Sequence, residues 1–216
     1  MNEPSVFHSN GMNGMPVHNV HIDINGNHYQ HMYVHNAYGA LQQNSTYHAL
    51  YRRDYGQNRP FVLSRSFFLG SQRYGAIWTG DASSTYESVE ASVNMLLTLG
   101  VTGIVFGGGD IPGFYGAPFD DLFVQFYQVG MYYPFFRAHN ILPGNFEDSN
   151  DNYSRREPWL QSERIQLVIK NAVRGRYENI HYLYTQFRHA NFHGLPIMRP
   201  MWMEFPQDTN TFPLGN

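Results

Sequence analysis

Four polar residues whose side chains could act on a substrate each follow a short apolar segment of the chain. They are Arg65, Asp81, Asp110 and His139. If the apolar segments are parallel β-strands, their carboxyl ends meet at one face of the fold, which is where parallel α/β barrels build active sites. The sequence therefore predicts that these four side chains converge, although they are distant along the chain.

Asp81 has two interpretations from its local sequence. It follows Trp78 closely, and a carboxyl group beside an indole loses hydration, which favours the protonated form that a general acid needs. Aspartate is also a preferred residue at the start of a helix, and Ser83 and Ser84 lie close by. Taken alone, the local sequence favours a helix cap over a catalytic acid.

The run Gly107–Gly109 lacks the signature of a phosphate-binding loop, because no Gly-Lys-Ser/Thr follows it. We expect these glycines to let the backbone turn tightly and present Asp110 and Phe114 to a pocket. Aromatic rings near such a pocket suit stacking on the apolar face of a sugar ring. Packing in the core remains the commoner role of any single Phe or Trp.

Histidines near the start of the chain suggest a different chemistry. On a helix, His28, His31 and His35 would share one face and could bind zinc, with His18 and His21 nearby. No carboxylate completes a His-Glu-x-x-His pattern, and the neighbouring aromatic residues indicate ordinary packing. A zinc hydrolase is therefore kept only as an alternative, and His139 is the stronger functional candidate among the histidines.

The pattern of apolar residues predicts an α/β fold with a parallel sheet. The predicted strands are 61–64, 76–78, 101–106 and 133–136, and the predicted helices are 29–55, 84–100, 120–130 and 162–191. Residues 8–28 are interpreted as a loop, and 197–205 as a strand that leaves the domain. Ser84 and Glu87 suggest a capping box, with Gly100 as the C-terminal cap of the same helix. The connection from Arg65 to Ala76 is short for a crossover helix.

Composition excludes several classes of protein. The chain has 216 residues and a net charge of −3, so it lacks the basic character of a nucleic-acid-binding protein. It contains no cysteine, which excludes disulfides, thiolate zinc sites and cysteine nucleophiles. The most apolar stretch, Val93–Phe106, is too short to span a membrane.

A series of motifs resembles, in order, the barrel motifs of glycoside hydrolase family 31. They are Met1–Pro4, Arg59–Phe68, Trp78–Asp81, Gly108–Phe114 and Tyr133–His139. The segment Arg199–Pro206 resembles the exit from that barrel. Two further stretches, His28–Gly39 and Arg155–Trp159, are most similar to members of the family from the endoplasmic reticulum, in which a catalytic subunit pairs with a non-catalytic β-subunit.

The resemblance implies the C-terminal portion of a (β/α)8 TIM barrel over residues 1–196. Residues 197–216 would then begin an exit segment towards a β-domain. It also implies a retaining α-glycosidase that needs no metal or cofactor, with Asp81 as the general acid/base. The implied substrate-binding residues are Arg65, Trp78, Asp110, Phe114 and His139. The helix-cap interpretation of Asp81 gives way to a catalytic one under this resemblance.

The family motif also carries a nucleophilic aspartate immediately before Met-Asn-Glu-Pro, one position ahead of Met1. We therefore expect Met1 to be an internal methionine of a longer α-glucosidase that removes terminal α-linked glucose from glycans or oligosaccharides. An isolated half-barrel would have open strand edges and be unstable or prone to aggregate. Ala82, Gly109 and Pro112 depart from the usual family residues.

Two alternatives within this interpretation remain open. One is a degenerate copy that binds sugar without cleaving it, and the other is an α-xylosidase. The expected partners are an α-glucoside or N-glycan substrate and a non-catalytic β-subunit, without nucleic acid. The resemblance places the protein in the lumen of the endoplasmic reticulum or elsewhere in the secretory pathway.

Overall fold

The computed structural model describes residues 2–4, 14–141 and 155–214. The chain forms two compact units, Met1–Ile77 and Trp78–Asn216. Each unit contains helices and short strands, and the predicted parallel strand pairing is present in both. The prediction of an α/β fold with parallel strands is therefore confirmed.

The first unit opens with a β-hairpin. Strand β1 (Val20–Ile22) pairs antiparallel with β2 (His28–Gln30). The carboxylate of Asp23 closes the turn, because it accepts hydrogen bonds from the backbone N–H groups of Asn25 at 2.8 Å and Asn27 at 2.9 Å. The prediction of a loop over 8–28 is wrong for β1 and for the start of β2, and residues 8–13 lie outside the described residues. Strands this short and exposed have no apolar period that the sequence could reveal.

Two helices follow the hairpin, α1 (His31–Val34) and α2 (Tyr38–Arg53). The predicted helix 29–55 is confirmed over α2. The helical region starts at His31, two residues later than predicted, because Tyr29 and Gln30 pair with β1. In α2 the side chain of Gln43 is fully buried, and its amide donates to the carbonyl of Ala76 at 3.4 Å.

Strands β3 (Leu63–Ser64) and β4 (Ala76–Trp78) pair in parallel, with Leu63 opposite Ala76. A single 3-10 turn, Ser71–Arg73, lies in the connection that the sequence showed to be short for a crossover helix. Asn2 forms a parallel bridge with Ser64 on the other edge of β3. Its backbone N–H donates to Leu63 at 2.8 Å.

The second unit begins within β4 and continues into α3 (Tyr86–Val101). Its N-cap is Thr85, whose hydroxyl accepts from the N–H of Ser88 at 3.2 Å, so the prediction of Ser84 as the cap is wrong by one residue. Ser84 instead donates its hydroxyl to the carbonyl of Tyr115 at 2.7 Å. The helix also runs past Gly100 to Val101, which was predicted to be in a strand.

Three short strands continue the unit: β5 (Gly107–Gly108), β6 (Asp110–Ile111) and β7 (Arg137–Ala138). β6 and β7 pair in parallel. The predicted strands 101–106 and 133–136 are therefore wrong in position: the strands β5 and β7 begin directly after each predicted segment. Hydrophobicity marks the buried residues, whereas the ladder depends on a distant partner strand.

Helix α4 (Asp120–Gly130) has the predicted bounds. Its apolar face contributes to a core with α3, α5 (Glu163–Glu178) and β6. The buried members of this core are Val89, Leu96, Ile111, Leu122, Phe123, Phe126, Tyr127, Tyr133, Ile165, Ile169 and Ala172. The site-bearing strand β6 is thus anchored through Ile111, which has no exposed surface.

The predicted helix 162–191 is two helices, α5 and α6 (Ile180–His193), separated at Asn179. The prediction of a strand over 197–205 is wrong, since Met201–Glu204 forms a short helix, α7. The division between barrel and exit segment near residue 196 stays a prediction. Within the described residues, no helix is long and apolar enough to cross a membrane.

Candidate active site

Asp81 lies on the loop that follows β4 in the second unit. Trp78 at the end of this strand is buried, and the next residue, Thr79, donates its backbone N–H to the carbonyl of Gly108 at 3.0 Å. Gly80 then turns the chain with a φ of +82°, a conformation that favours glycine. Asp81 follows this turn and remains partly exposed, so its carboxyl group is accessible to a reacting group.

The Asp81 loop is tied to the loop that follows β6. The carbonyl of Ala82 accepts from the N–H groups of Phe114 at 2.6 Å and Tyr115 at 3.2 Å. The phenol of Tyr115 donates to Oδ2 of Asp81 at 3.3 Å. Ser84 closes the contact, since its N–H donates to the carbonyl of Tyr115 at 2.9 Å. Two segments distant in sequence therefore hold the carboxyl group between them.

Asp110 is the second acidic residue of the site, and it is completely enclosed. Its Oδ1 pairs with the guanidinium of Arg137 at 2.7 Å, and its side chain has no exposed surface. Removing either partner of a buried pair leaves an uncompensated charge, which costs about 3–5 kcal/mol. The guanidinium carbon of Arg137 also lies 5.3 Å from the ring centre of Trp78. Three side chains from three strand ends therefore form one continuous group.

His139 lies against Phe114, with their ring centres 5.4 Å apart. Its backbone N–H donates to the carbonyl of Ile111 at 2.9 Å, which continues the pairing between β6 and β7. Burial lowers the pKa of His139, and the positive charge of Arg137 lowers that pKa further, while the nearby charge of Asp81 acts in the opposite direction. The neutral imidazole is therefore favoured, and it can both donate and accept hydrogen bonds.

The structure brings together five of the six residues predicted for the site, all within the second unit. They are Trp78, Asp81, Asp110, Phe114 and His139. Arg65, the sixth, belongs to the first unit, on the segment after β3. There its guanidinium lies 3.4 Å from the carboxylate of Glu3, and its backbone N–H donates to the carbonyl of Asn2 at 2.9 Å. The individual roles of all six residues stay predictions.

Sequence reasoning missed three residues that build this site. Arg137 and Tyr115 contact the two carboxylates, as described above. Arg156 is buried and donates to the carbonyl of Gly113 at 2.5 Å and to the hydroxyl of Ser84 at 3.1 Å, so it joins the two loops from a third segment. Arg137 stands two positions before His139, as two residues on the same side of a strand do, which is a signal that the sequence offered.

The histidines of the first unit do not form the predicted zinc face. His28 lies in β2 and is exposed, so it is not on a helix with His31 and His35. Nε2 of His31 instead makes a hydrogen bond with Nδ1 of His35 at 2.7 Å, and its Nδ1 makes one with Nε2 of His21 at 2.9 Å. Over the ranges that the structure describes, no group of three or more potential ligands is arranged to hold a metal ion.

A family-wide sequence model described as "Glycosyl hydrolases family 31 TIM-barrel domain" matches residues 1–186. The chain belongs to glycosyl hydrolase family 31. Its fold is therefore part of a TIM barrel, as the motifs predicted, and the paired strand ends described above are strand ends of that barrel.

Similar proteins of the family include two α-glucosidases. The chain is 48% identical to a probable glucan 1,3-alpha-glucosidase from Arabidopsis thaliana over 212 residues, covering 98% of this chain and 22% of that protein. It is 45% identical to neutral alpha-glucosidase C from Mus musculus over 213 residues, again covering 98% of this chain and 22% of the relative. The chain therefore spans about a fifth of the length of these relatives.

A solved structure shows the same fold. In the heterodimeric complex of endoplasmic-reticulum glucosidase II, which consists of the catalytic subunit and the binding domain of the regulatory subunit, the matching chain superposes with a TM-score of 0.78. That match has 43% sequence identity and covers 85% of this chain and 19% of the solved chain.

Proposed function

We propose that this chain is the C-terminal segment of the catalytic barrel of a retaining α-glucosidase, which removes terminal α-linked glucose from glycans or oligosaccharides. The observation that carries the proposal is Asp81, a partly exposed carboxyl group after a barrel strand, which accepts a hydrogen bond from the phenol of Tyr115 and whose charge affects the pKa of His139. The relatives support the same activity, because their names describe α-glucosidases.

In the proposed reaction, Asp81 acts as the general acid and then as the general base. It protonates the glycosidic oxygen while a nucleophilic carboxylate attacks the anomeric carbon, and the bond to the leaving sugar breaks. Asp81 then takes a proton from water, which displaces the carboxylate and releases glucose with its configuration retained. A retaining mechanism needs the nucleophile about 5 Å from this acid. The family motif places that nucleophile directly before Met-Asn-Glu-Pro.

The remaining residues would hold the sugar. We assign one sugar hydroxyl to Asp110, whose enclosed carboxylate would have to be uncovered on binding, and another to His139, whose neutral form can donate or accept a hydrogen bond. Phe114, which is partly exposed, offers ring surface for the apolar face of glucose, Trp78 would lie beside the scissile bond, and we assign Arg65 a further hydroxyl. The likeness to glucosidase II extends the proposal to a non-catalytic β-subunit as partner and to the endoplasmic reticulum as the compartment, with an N-glycan as the substrate.

The test is Asp81→Asn in the complete enzyme, with Asp121→Asn in the exposed first turn of α4 as the matched control. We expect turnover of an alkyl α-glucoside to fall about 10²–10⁴-fold, the usual contribution of a general acid. With α-glucosyl fluoride, the rate of the first step, in which the glycosyl-enzyme forms, should fall much less, because fluoride leaves without a proton. Wild-type turnover of the alkyl glucoside in Asp81→Asn would remove Asp81 from the mechanism.

A degenerate copy that binds sugar without cleaving it makes a different prediction. Ala82 and Gly109 differ from the residues usual in the family, and this difference is the observation that supports such a copy. A methyl group at position 109 would lie 3.4 Å from Oγ1 of Thr79, an ordinary contact, so this glycine does not change the shape of the site greatly. A coding sequence that encodes Trp-x-Asp immediately before Met1 supports the enzyme, and an unrelated sequence there supports the degenerate copy.

A further inference from the structure

Arg137 occupies a defined place opposite Asp110. The two residues are direct partners in the parallel pairing of β6 and β7, so their side chains leave the sheet on the same face. This register brings the guanidinium to 2.7 Å from Oδ1 of a carboxylate that has no exposed surface, while 20% of the arginine side chain remains exposed. The charge on Asp110 is thus compensated by a side chain that is itself partly exposed.

The same guanidinium also contacts two aromatic rings. Its carbon lies 5.3 Å from the ring centre of Trp78 and 5.5 Å from that of Phe135. A planar guanidinium can stack on a ring while its N–H groups bind a carboxylate in the plane, which an ammonium group cannot do. Arg137 therefore determines the relative orientation of Trp78 and Asp110.

A third effect of Arg137 is electrostatic. His139 is two residues further along the same strand end, and the positive charge of Arg137 disfavours a second positive charge there. This effect adds to that of burial and opposes the effect of Asp81, so the arginine biases His139 towards its neutral form. One side chain thereby influences three of the predicted site residues.

We propose that Arg137 is a positioning residue of the active site, which orients Asp110 and Trp78 for the sugar without itself contacting the reacting atoms. The inference rests on the proposed α-glucosidase function, because it assigns the sugar to Asp110, Trp78 and His139. A purely structural role for the ion pair is the competing explanation, and the two make different predictions.

The experiment compares Arg137→Lys, Arg137→Ala and a control, Arg174→Ala, in a complete α-glucosidase that contains this segment. Arg174 is exposed on α5. With 4-nitrophenyl α-glucoside, we expect kcat/KM to fall on the order of 100-fold in Arg137→Ala, the loss that a misplacement of about 1 Å can cause. Arg137→Lys should fall by a similar factor, because an ammonium cannot bind and stack in the same geometry. Arg174→Ala should stay within about twofold.

Two readouts separate positioning from structure. Methylguanidinium added to Arg137→Ala should restore at least a tenth of the lost kcat/KM, because the small cation can occupy the vacated space, and it should not change Arg174→Ala. The pKa of His139, followed by NMR of labelled imidazole, should rise in Arg137→Ala and stay near the wild-type value in Arg137→Lys, which keeps the charge.

The outcomes are distinct for the two proposals. Arg137→Ala with kcat/KM within threefold of wild type would overturn the positioning role, as would a loss that methylguanidinium does not restore or a His139 pKa that does not change. If Asp81→Asn leaves turnover unchanged while Arg137→Ala lowers it with rescue, the assigned acid/base fails and the positioning role of Arg137 stands.

Discussion

The first unit, Met1–Ile77, and the second unit, Trp78–Asn216, bury different kinds of side chain. Among the described residues of the first unit, the buried apolar ones are confined to β3 and β4 and their flanks, and the other fully enclosed side chains are polar: His31, Gln43, Ser64 and Ser71. The second unit has a continuous apolar core contributed by α3, α4, α5 and β6. Stability of the first unit therefore depends more on hydrogen bonds, and that of the second on close packing.

This difference suits the positions of the candidate catalytic groups. Asp110 directly precedes Ile111, which belongs to the apolar core, and the backbone N–H of His139 donates to the carbonyl of Ile111. The core therefore holds the backbone of both residues in place. Binding and catalytic groups need such support, because small errors in position cost large factors in rate. The buried His31 gives the hairpin region of the first unit a pH dependence of its own.

The largest expected effect comes from creating a cavity in the apolar core of the second unit. Leu122 is 1% exposed in α4, and Leu122→Ala should lower the free energy of unfolding of this unit by about 2–5 kcal/mol. Hydrogen exchange by mass spectrometry on the complete enzyme should show lost protection in peptides from α4 and α5. Leu167→Ala, at a residue that is 59% exposed on α5, is the matched control and should change stability by about 0.5 kcal/mol or less. Equal effects of the two variants would contradict the packing argument.

A smaller effect is expected from a backbone contact in the first unit. A Cβ at Gly75 would overlap the carbonyl oxygen of Val62, which accepts the hydrogen bond from Ala76 at 2.8 Å. Gly75→Ala should therefore cost about 1–3 kcal/mol, with protection lost in peptides from β3 and β4 and kept in α4. Gly14→Ala is the control, since a Cβ there would meet no atom within 4 Å. Full protection of β3 in Gly75→Ala would show that the strand pair shifts without penalty.

The smallest effect is a pH dependence of the hairpin region in the first unit. Burial lowers the pKa of His31, and the charges of His35 and His21 lower it further; Tyr38 packs on the same ring. Because the unfolded chain binds the proton more readily, this group stabilises the unit above its ordinary pKa of about 6.5, and the contribution is lost as pH falls through the lowered value.

Hydrogen exchange corrected for intrinsic rates checks this prediction. Protection of peptides from β1, β2 and α1 should decline between about pH 7 and 5. Over the same range peptides from α4 should be unchanged, because the titratable side chain that α4 buries, Tyr127, is neutral at these pH values, and burial raises its pKa further, to about 12. His28→Gln, at an exposed position, should preserve the decline. A flat profile for the hairpin would contradict the role assigned to His31.

The sequence by itself determined the features that depend on nearby residues or on ordered motifs. Helix α4 had its bounds predicted to the residue, because an apolar stripe and an acidic first turn are local signals. The motifs identified the family and named six candidate site residues, whose roles stay predictions. Apolar runs also placed β3 and β4 within two residues, since burial of a strand leaves such a run in the sequence, whereas the exposed strands β1 and β2 left none.

Only the tertiary structure decided which residues meet. The partner of Asp110, the phenol beside Asp81 and the loop contact of Arg156 all depend on strand register and on loops that are far apart in sequence. Caps and helix breaks, such as Thr85 and Asn179, were decided by hydrogen bonds that compete within a few residues. Local patterns determine which face of a segment is buried, but the energy of a parallel pair belongs to two segments at once, so one segment's sequence cannot reveal it.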